Sequence, residues 1–418
     1  MSREKRPYRL FEVVGIELEY PVVDADLRVQ RLVEPLFRRL AGRPVSEVEH
    51  GGTAFSNELA AHVFEIKALQ PERSLRSTER HLVQGLRAVL RVLKKDFGAR
   101  LLPTAMHPFF DPAGGELWPR AGRPIYETYA RIFPVFNHGW MNLQSCHVNL
   151  PFGSEPQTVL LHNAIACLLP YLPALAASSP VYEGRLGPNV CNRLAFYKSN
   201  QKRLPRITGE VVPEFMTSYS QYKREILQPI YQELGRIRGG ARLRHEWVNS
   251  RGAILRFSRR AIEIRVLDSQ ECPKMDIAFA VFIRAALQSM VQRMQQDRPP
   301  LPRRRMLIED FNRVIREGGR AEVEAAHLCS WLGLRRRPPT ARQILLGLLR
   351  QCQSEIPRGQ LDYYPLIEHR IIAGNLSETI RREIARRGAR GGRRLPAILH
   401  GIYEELAECL ELNRPWKI

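Results

Sequence analysis

The chain has 418 residues. One domain usually takes about 100–200 residues, so two domains, or one large domain with an appendage, are expected. Hydrophobic residues make up 44% and charged residues 26%, and 64 basic residues against 43 acidic ones leave a net charge of +21; this excludes a largely disordered chain and a small disulfide-stapled scaffold.

All but nine of the basic residues are arginine. Arginine grips phosphate and carboxylate with two parallel bonds, so an anionic substrate suits this balance. A solvated surface gives the same sum, because net charge speaks to solubility and association rather than to fold. The runs Arg303–Arg305, Arg335–Arg337 and Arg386–Arg394 lack interleaved aromatic residues. They form no nucleic-acid motif, so nucleic acid is not the expected partner. No stretch reaches the roughly 20 uninterrupted apolar residues of a membrane span; the nearest, Ala164–Val181, contains Pro170, Pro173 and Pro180. Met1–Leu10 is charged and lacks an apolar signal core, which points to the cytoplasm. Seven cysteines, none in a Cys-x-x-Cys pair, fit reduced thiols rather than a zinc ribbon or a disulfide framework.

In chain order, Leu10–Val23 alternates apolar and polar residues and predicts a strand. Val29–Leu40 has helical spacing, Glu58–Ala68 reads as extended, and Ser74–Phe97 reads as a long amphipathic helix with Ser74 as N-cap. Arg100–Met106 reads as a strand, Ile125–Phe133 as a helix and Leu143–Leu150 as extended. Thr158–Ala177 is an apolar helix with a proline break, and Glu214–Arg236 a polar amphipathic one. Ala253–Phe257 and Ala261–Leu267 suggest a hairpin. After Pro273 only helices are expected: Met275–Gln296, Met306–Glu317, Thr340–Gln353, Ser377–Arg387 and Leu395–Leu412. The expectation is an α+β body over residues 1–298 and a helical C-terminal region over residues 299–418.

Several strand-like segments place charged or metal-competent side chains on one face and apolar ones on the other. Glu17 and Glu19 point the same way, as do Ser145, His147 and Asn149, and as do Glu263 and Arg265. Glu58 and Glu65 are seven apart, which puts them on opposite faces of a regular strand; a bend must intervene if they converge. An antiparallel sheet with one wet face gives the same alternation. Glutamate is depleted in strands, however, and carboxylates crowded on one face repel unless cations neutralise them. Oxygen donors with one histidine suit Mg2+ or Mn2+, which commonly share phosphate oxygens. The pattern points to nucleotide chemistry on a sheet face. No Walker A loop and no dinucleotide-binding glycine fingerprint occurs, so metals and arginines must hold the phosphates of any ATP. Arg193, Arg251, Arg256 and Arg265 lie near these segments, and Asn249-Ser-Arg-Gly-Ala253 is either a nucleotide or substrate contact or a plain turn.

These motifs resemble the glutamate–cysteine ligase superfamily, and most closely its bacterial carboxylate–amine ligase branch. Gly15-Ile-Glu-Leu-Glu-Tyr20 resembles the family's opening strand, and Ile262-Glu-Ile-Arg-Val-Leu-Asp268 its late strand. Between them lie Glu58-x6-Glu65, Thr104-Ala-Met-His-Pro-Phe109, Ser145-Cys-His-Val-Asn149, Ala176-Ala-Ser-Ser-Pro-Val-Tyr-Glu-Gly184 and Arg193, in the family's order. The Ala-Met before His107 departs from the pattern. The resemblance implies a glutamine-synthetase-like fold, a curved antiparallel sheet flanked by helices. It implies an ATP- and Mg2+-dependent ligase that phosphorylates a carboxylate, the γ-carboxylate of glutamate in the leading reading, and hands it to an amine, cysteine being the best-known acceptor.

Glu17, Glu19, Glu58, Glu65, His147 and Glu263 match the family's metal positions. Arg265 matches an arginine at the transferred phosphoryl group, and Arg193 one that contacts a substrate carboxylate or phosphate. Asn249, Arg251 and Arg256 are candidate nucleotide contacts. Small-molecule substrates are the implied partners, and a homodimer is left open. The competing readings are an anion- or nucleic-acid-binding protein on a retired ligase scaffold, and a phosphotransferase of the same fold. No residue stands out as the base that deprotonates the amine.

Overall fold

Strict alternation in Gly-Ile-Glu-Leu-Glu-Tyr sends Ile16, Leu18 and Tyr20 to one side of a strand and Glu17 and Glu19 to the other. The computed structural model, which describes residues 7–335, 338–388 and 394–417, turns that pattern into the centre of a sheet. Residues 1–6 of the N-terminal segment, and 336–337 and 389–393 of the arginine runs, lie outside the described residues.

The strands are β1 (Gly15–Val23), β2 (Glu47–His50), β3 (Thr53–Asn57), β4 (Val63–Ala68), β5 (Arg100–Leu101), β6 (Ser145–Pro151), β7 (Val181–Tyr182), β8 (Arg185–Leu186), β9 (Ala253–Arg256) and β10 (Ala261–Asp268). The main sheet runs β2-β3-β4-β1-β6-β10-β9, with β5 pairing on β1; β7 and β8 form a separate hairpin. Its strand pairs are antiparallel. The back face, with Leu18, Phe64, Ile66, Val148, Ile262 and Ile264, is buried. Helix Leu75–Val92 packs on β3 and β4, Glu155–Leu168 on β9 and Leu172–Ala176 on β10, while Pro273–Gln296 lies against the first two helices.

The proposed boundary near residue 298 is crossed by one continuous core, which includes Phe311, Leu345 and Ile367 together with the sheet residues. The buried Arg370 pairs with Glu271, and the Ser377 amide donates to the Ala177 carbonyl at 2.9 Å. Two helical stretches, Glu155–Ala176 and Pro273–Gln296, are long and apolar enough to cross a membrane by composition. They are core helices: 89% and 83% of their apolar windows are buried inside the fold.

Several elements differ from expectation. The β2–β3 hairpin was not foreseen; its Gly51-Gly52 loop, with Gly51 at φ +59°, is a strong two-residue hairpin signal. Only Val63–Ala68 of the expected Glu58–Ala68 strand is extended in the sheet, because residues 58–62 form the β3–β4 connection. The strand at Arg100 stops after Leu101. The Glu214–Arg236 helix starts at Tyr219 and contains a π-turn at Lys223–Leu227. Helix Tyr364–Ala373 was not anticipated.

Candidate active site

The strand register assembles the site. On β1, Glu17 faces His147 of β6 on one side and Lys67 of β4 on the other, and Glu19 faces Glu65. On β10, Glu263 faces Asn149 of β6. The residues Glu17, Glu19, Glu65, His147 and Glu263 are only 2% to 8% exposed, so these are buried ionisable groups and not a wetted rim.

Pairing of β10 with β6 steps from Ile264↔Val148 to Leu267↔Cys146. One extra residue on β10 makes a bulge there, the device that re-aims a side chain next to a site. Arg265 lies in that bulge, and its amide donates to the Gly252 carbonyl at 2.9 Å. A Cβ on Gly252 would meet Val266 at 2.6 Å and Leu169 at 2.8 Å, so close backbone approach requires glycine here.

His147 is the hub. Its Nδ1 lies 3.1 Å from Glu17 and 3.8 Å from Glu263; its Nε2 lies 3.0 Å from the Ser145 hydroxyl and 4.0 Å from Glu19. Glu19 accepts from the Ser145 amide at 2.7 Å and from its hydroxyl at 3.0 Å. Two overlapping groups, Glu17–His147–Glu263 and Glu19–Glu65–His147, each bring their donor atoms within 4.8 Å of one another.

Cations lean in from the edges. Arg256 pairs with Glu263, Arg265 Nε lies 3.2 Å from Glu263, Arg259 lies 3.3 Å from Glu17, and Lys67 lies 3.1 Å from Glu65. Burial alone would raise the Glu17 carboxyl, but the hydrogen bond and charge of His147, with Arg259 and Lys67, bring it down to about 2. Burial alone would lower His147; its bond to Glu17 and the charges of Glu19 and Glu263 raise it. Burial and Glu17 push Glu65 up to about 7. Burial and the Glu19, Glu65 and Glu17 charges push Glu58 well up. Carboxyl groups held this close resist ionising together. Oxygen donors with one shared imidazole fit a divalent cation of the Mg2+ or Mn2+ class.

Glu58 lies on the β3–β4 connection, which supplies the bend its spacing demanded, and it lines the cleft outside both donor groups. Arg193 is buried and its guanidinium is engaged: Nε bonds Asp268 at 2.7 Å, and Nη2 donates to the Arg265 and Leu267 carbonyls at 3.1 and 2.8 Å. The Ser178 amide and the Ser179 hydroxyl complete the Asp268 shell at 2.9 and 2.8 Å. The Ser-Ser motif, Arg193 and Asp268 are thus one clasp on the end of β10, and Arg193 positions the bulge bearing Arg265. Arg251 is tied to Glu214, the Arg206 carbonyl and the Asn249 side chain. Asn249 donates to Tyr222 at 2.8 Å, and its carbonyl accepts from Arg265 at 3.3 Å. These contacts brace the Asn249–Ala253 segment within the fold. His107 holds a turn, accepting from the Phe109 and Phe110 amides at 3.1 and 2.9 Å. Cys146 and Cys272 are buried, and burial pushes both thiols up. Sequence reasoning missed Lys67, although Glu65-x-Lys67 repeats the period-two signal, and Arg259, which sits in the β9–β10 turn.

Two cavities flank the acidic face. One, about 590 Å³, lies beside Glu17, Lys67, Arg259 and Phe152. The other, about 480 Å³, lies beside Glu19, Glu58 and Arg265. The model of the glutamate-cysteine ligase family 2 matches residues 13–393. The chain belongs to that family. An uncharacterized protein of Archaeoglobus fulgidus is 35% identical over 404 residues, 96% of this chain and 99% of that one. The fold matches a glutamate–cysteine ligase of Francisella tularensis solved with AMP, at TM-score 0.62 and 12% identity, over 99% of this chain and 91% of that one. It also matches a bifunctional glutathione synthetase of Pasteurella multocida, at TM-score 0.63 and 16% identity, over 95% of this chain and 53% of that one. In this glutamate–cysteine ligase family member, the acidic face and the cavity beside Glu19 lie within residues 13–393, and the cavity beside Glu17 does so apart from Pro7 and Tyr8.

Proposed function

We propose that this chain is an ATP- and Mg2+-dependent ligase that joins the γ-carboxylate of glutamate to an amine through an acyl phosphate, with Mn2+ able to replace Mg2+. The observation that carries this reading is the convergence of Glu17, Glu19, Glu65, His147 and Glu263 on one sheet face between two cavities.

The cavity beside Glu17 has Lys67, Arg259 and Arg260 for a polyphosphate and Tyr8 and Phe152 for a base, which suits it to ATP. The cavity beside Glu19 and Arg265 then takes the carboxylate and the amine. The glutamates and His147 hold the cation, which when bound supplies positive charge to the phosphate oxygens. Arg265, at the junction, stabilises the charge of the migrating γ-phosphoryl group. That group passes to a carboxylate oxygen and ADP leaves. The amine nitrogen attacks the acyl carbon, the carbon–oxygen bond to phosphate breaks, inorganic phosphate departs with the electron pair, and the nitrogen loses a proton. Arg193 acts as a positioning residue through the β10 bulge. A cytoplasmic location belongs to the same proposal and is supported by the buried, reduced thiols of Cys146, Cys167, Cys191, Cys272, Cys352 and Cys409.

The test is ADP release from purified protein with Mg2+ across amino acids and amines, with mass spectrometry of the product. ADP release that requires both glutamate and an amine, with an amide product, is expected. A phosphorylated product without amide would replace this reading with a phosphotransferase, and ATP-independent, salt-sensitive nucleic-acid binding would replace it with a binding protein.

A further inference from the structure

The cavity beside Glu19 is lined by charged and by aromatic side chains. Tyr126, Tyr129, Trp140, Tyr197 and Trp247 line it. Tyr129 links the wall: its ring centroid lies 5.1 Å from Trp140 and 6.3 Å from Trp247, tilted by 54° and 45°, within the range of favourable aromatic pairs. His245 stacks on Trp247 at 5.5 Å and 9°. Tyr126, Trp140, Tyr197 and Trp247 are half-buried, so ring surface remains open.

Their polar handles are largely occupied by the protein. Trp140 Nε1 donates to the Asn200 carbonyl at 3.2 Å, the Tyr197 hydroxyl to the Ser250 carbonyl at 2.8 Å, and the Tyr126 oxygen accepts from Asn57 at 3.0 Å. The wall therefore offers ring faces more than hydrogen bonds. Among the described residues, the arginines lining this cavity are Arg193, Arg256 and Arg265. Arg193 is committed to Asp268. Arg256 and Arg265 lean on Glu263, and a cation on Glu263 frees them for the migrating phosphoryl group and for the carboxylates of the donor. No arginine of the cavity is then left for a carboxylate on the acceptor.

We infer that the acceptor is an arylalkylamine, an amine on an aromatic ring without a carboxylate, seated against the Tyr129–Trp140–Trp247 wall. The inference rests on the ligase reading and names the substrate of that same cavity. The amine nitrogen reaches the acyl carbon beside Glu19 and Arg265, forms the carbon–nitrogen bond as phosphate leaves, and gives its proton to solvent; the ring stays on the wall.

The experiment separates this inference from the reading beneath it. Hydroxylamine, too small to need the wall, traps an acyl phosphate as a hydroxamate. With ATP, Mg2+ and glutamate, hydroxamate formation is measured first, then kcat/KM for phenethylamine and tyramine against cysteine, tyrosine and putrescine. Both arylalkylamines are expected to exceed each of the others by about tenfold or more, the discrimination a pocket gains from matched apolar groups. Trp247→Leu and Tyr126→Leu are expected to lower kcat/KM for phenethylamine about tenfold more than for hydroxylamine, and hydroxamate formation reports that each variant is folded. Hydroxamate formed alongside a preference for cysteine or putrescine overturns the aromatic acceptor and leaves the ligase standing. Tyrosine favoured over tyramine overturns the exclusion of a carboxylate. Absence of both hydroxamate and ADP overturns the ligase reading and this inference with it.

Discussion

Glu263 and Asp268 sit five residues apart on β10, 2% and 1% exposed, and their surroundings differ in kind. Asp268 is enclosed by donors: Arg193, the Ser178 amide, the Ser179 hydroxyl and the Cys191 thiol, with no second carboxylate bonded to it among the described residues. Glu263 has Arg256 and Arg265 beside it but belongs to a face that also crowds Glu17, Glu19 and Glu65 around one histidine. The first arrangement is self-satisfied and holds a strand end in place. The second sets several carboxylates around one imidazole, with the cationic side chains reaching in from its edges, and so offers a donor set that an added cation can take. Burial by itself therefore does not mark a functional carboxylate; the balance of donors and charges around it does.

The comparison is broken most sharply at the clasp. Arg193→Met leaves Asp268 buried without its cation, which costs about 3–5 kcal/mol of stability. Urea unfolding with an unchanged slope should register that loss. Glu263→Gln should instead leave the unfolding midpoint near that of the wild type while ADP release falls about 10²–10³-fold, as when one preorganised electrostatic group is removed. Equal destabilisation by the two variants would erase the distinction. Cation binding sharpens the contrast further. Mg2+ at a hundred times its dissociation constant should stabilise the metal-free protein by about 2.7 kcal/mol, read as a rise in melting temperature. Glu17→Gln should shrink the rise, and Arg370→Lys, at the buried Glu271 pair, should not.

Much of this was legible in the residues because period-two alternation states which side chains share a face. That alternation groups Glu17, Glu19, His147 and Glu263, and the register sets the three strands that carry them side by side. Glu58 and Glu65 required a bend, and the β3–β4 connection provides one. What sequence could not give was commitment. Arg193, Asn249 and Arg251 carry chemistry-competent groups near the motifs, yet their bonds go to Asp268, Tyr222 and Glu214, partners up to 75 residues away in the chain. The aromatic wall was equally hidden, since its rings come from four separate segments and make no local pattern.

The smallest effect is expected at Arg265, and it tests how the bulge works. Its guanidinium reaches Glu263 through Nε and the Asn249 carbonyl through Nη1, so the side chain is held at both ends of its fork beside the cavity. Lysine keeps the charge but offers a single point in place of the planar fork. Arg265→Lys should therefore lower kcat about tenfold to a hundredfold, the worth of one charge-assisted hydrogen bond of roughly 1.5–3 kcal/mol, with little change in the KM for ATP. The reverse split, a raised KM with kcat intact, would place Arg265 on the resting nucleotide and not on the phosphoryl group in transit. The bulge would then serve ATP binding, and the acidic face alone would be left to stabilise the transfer.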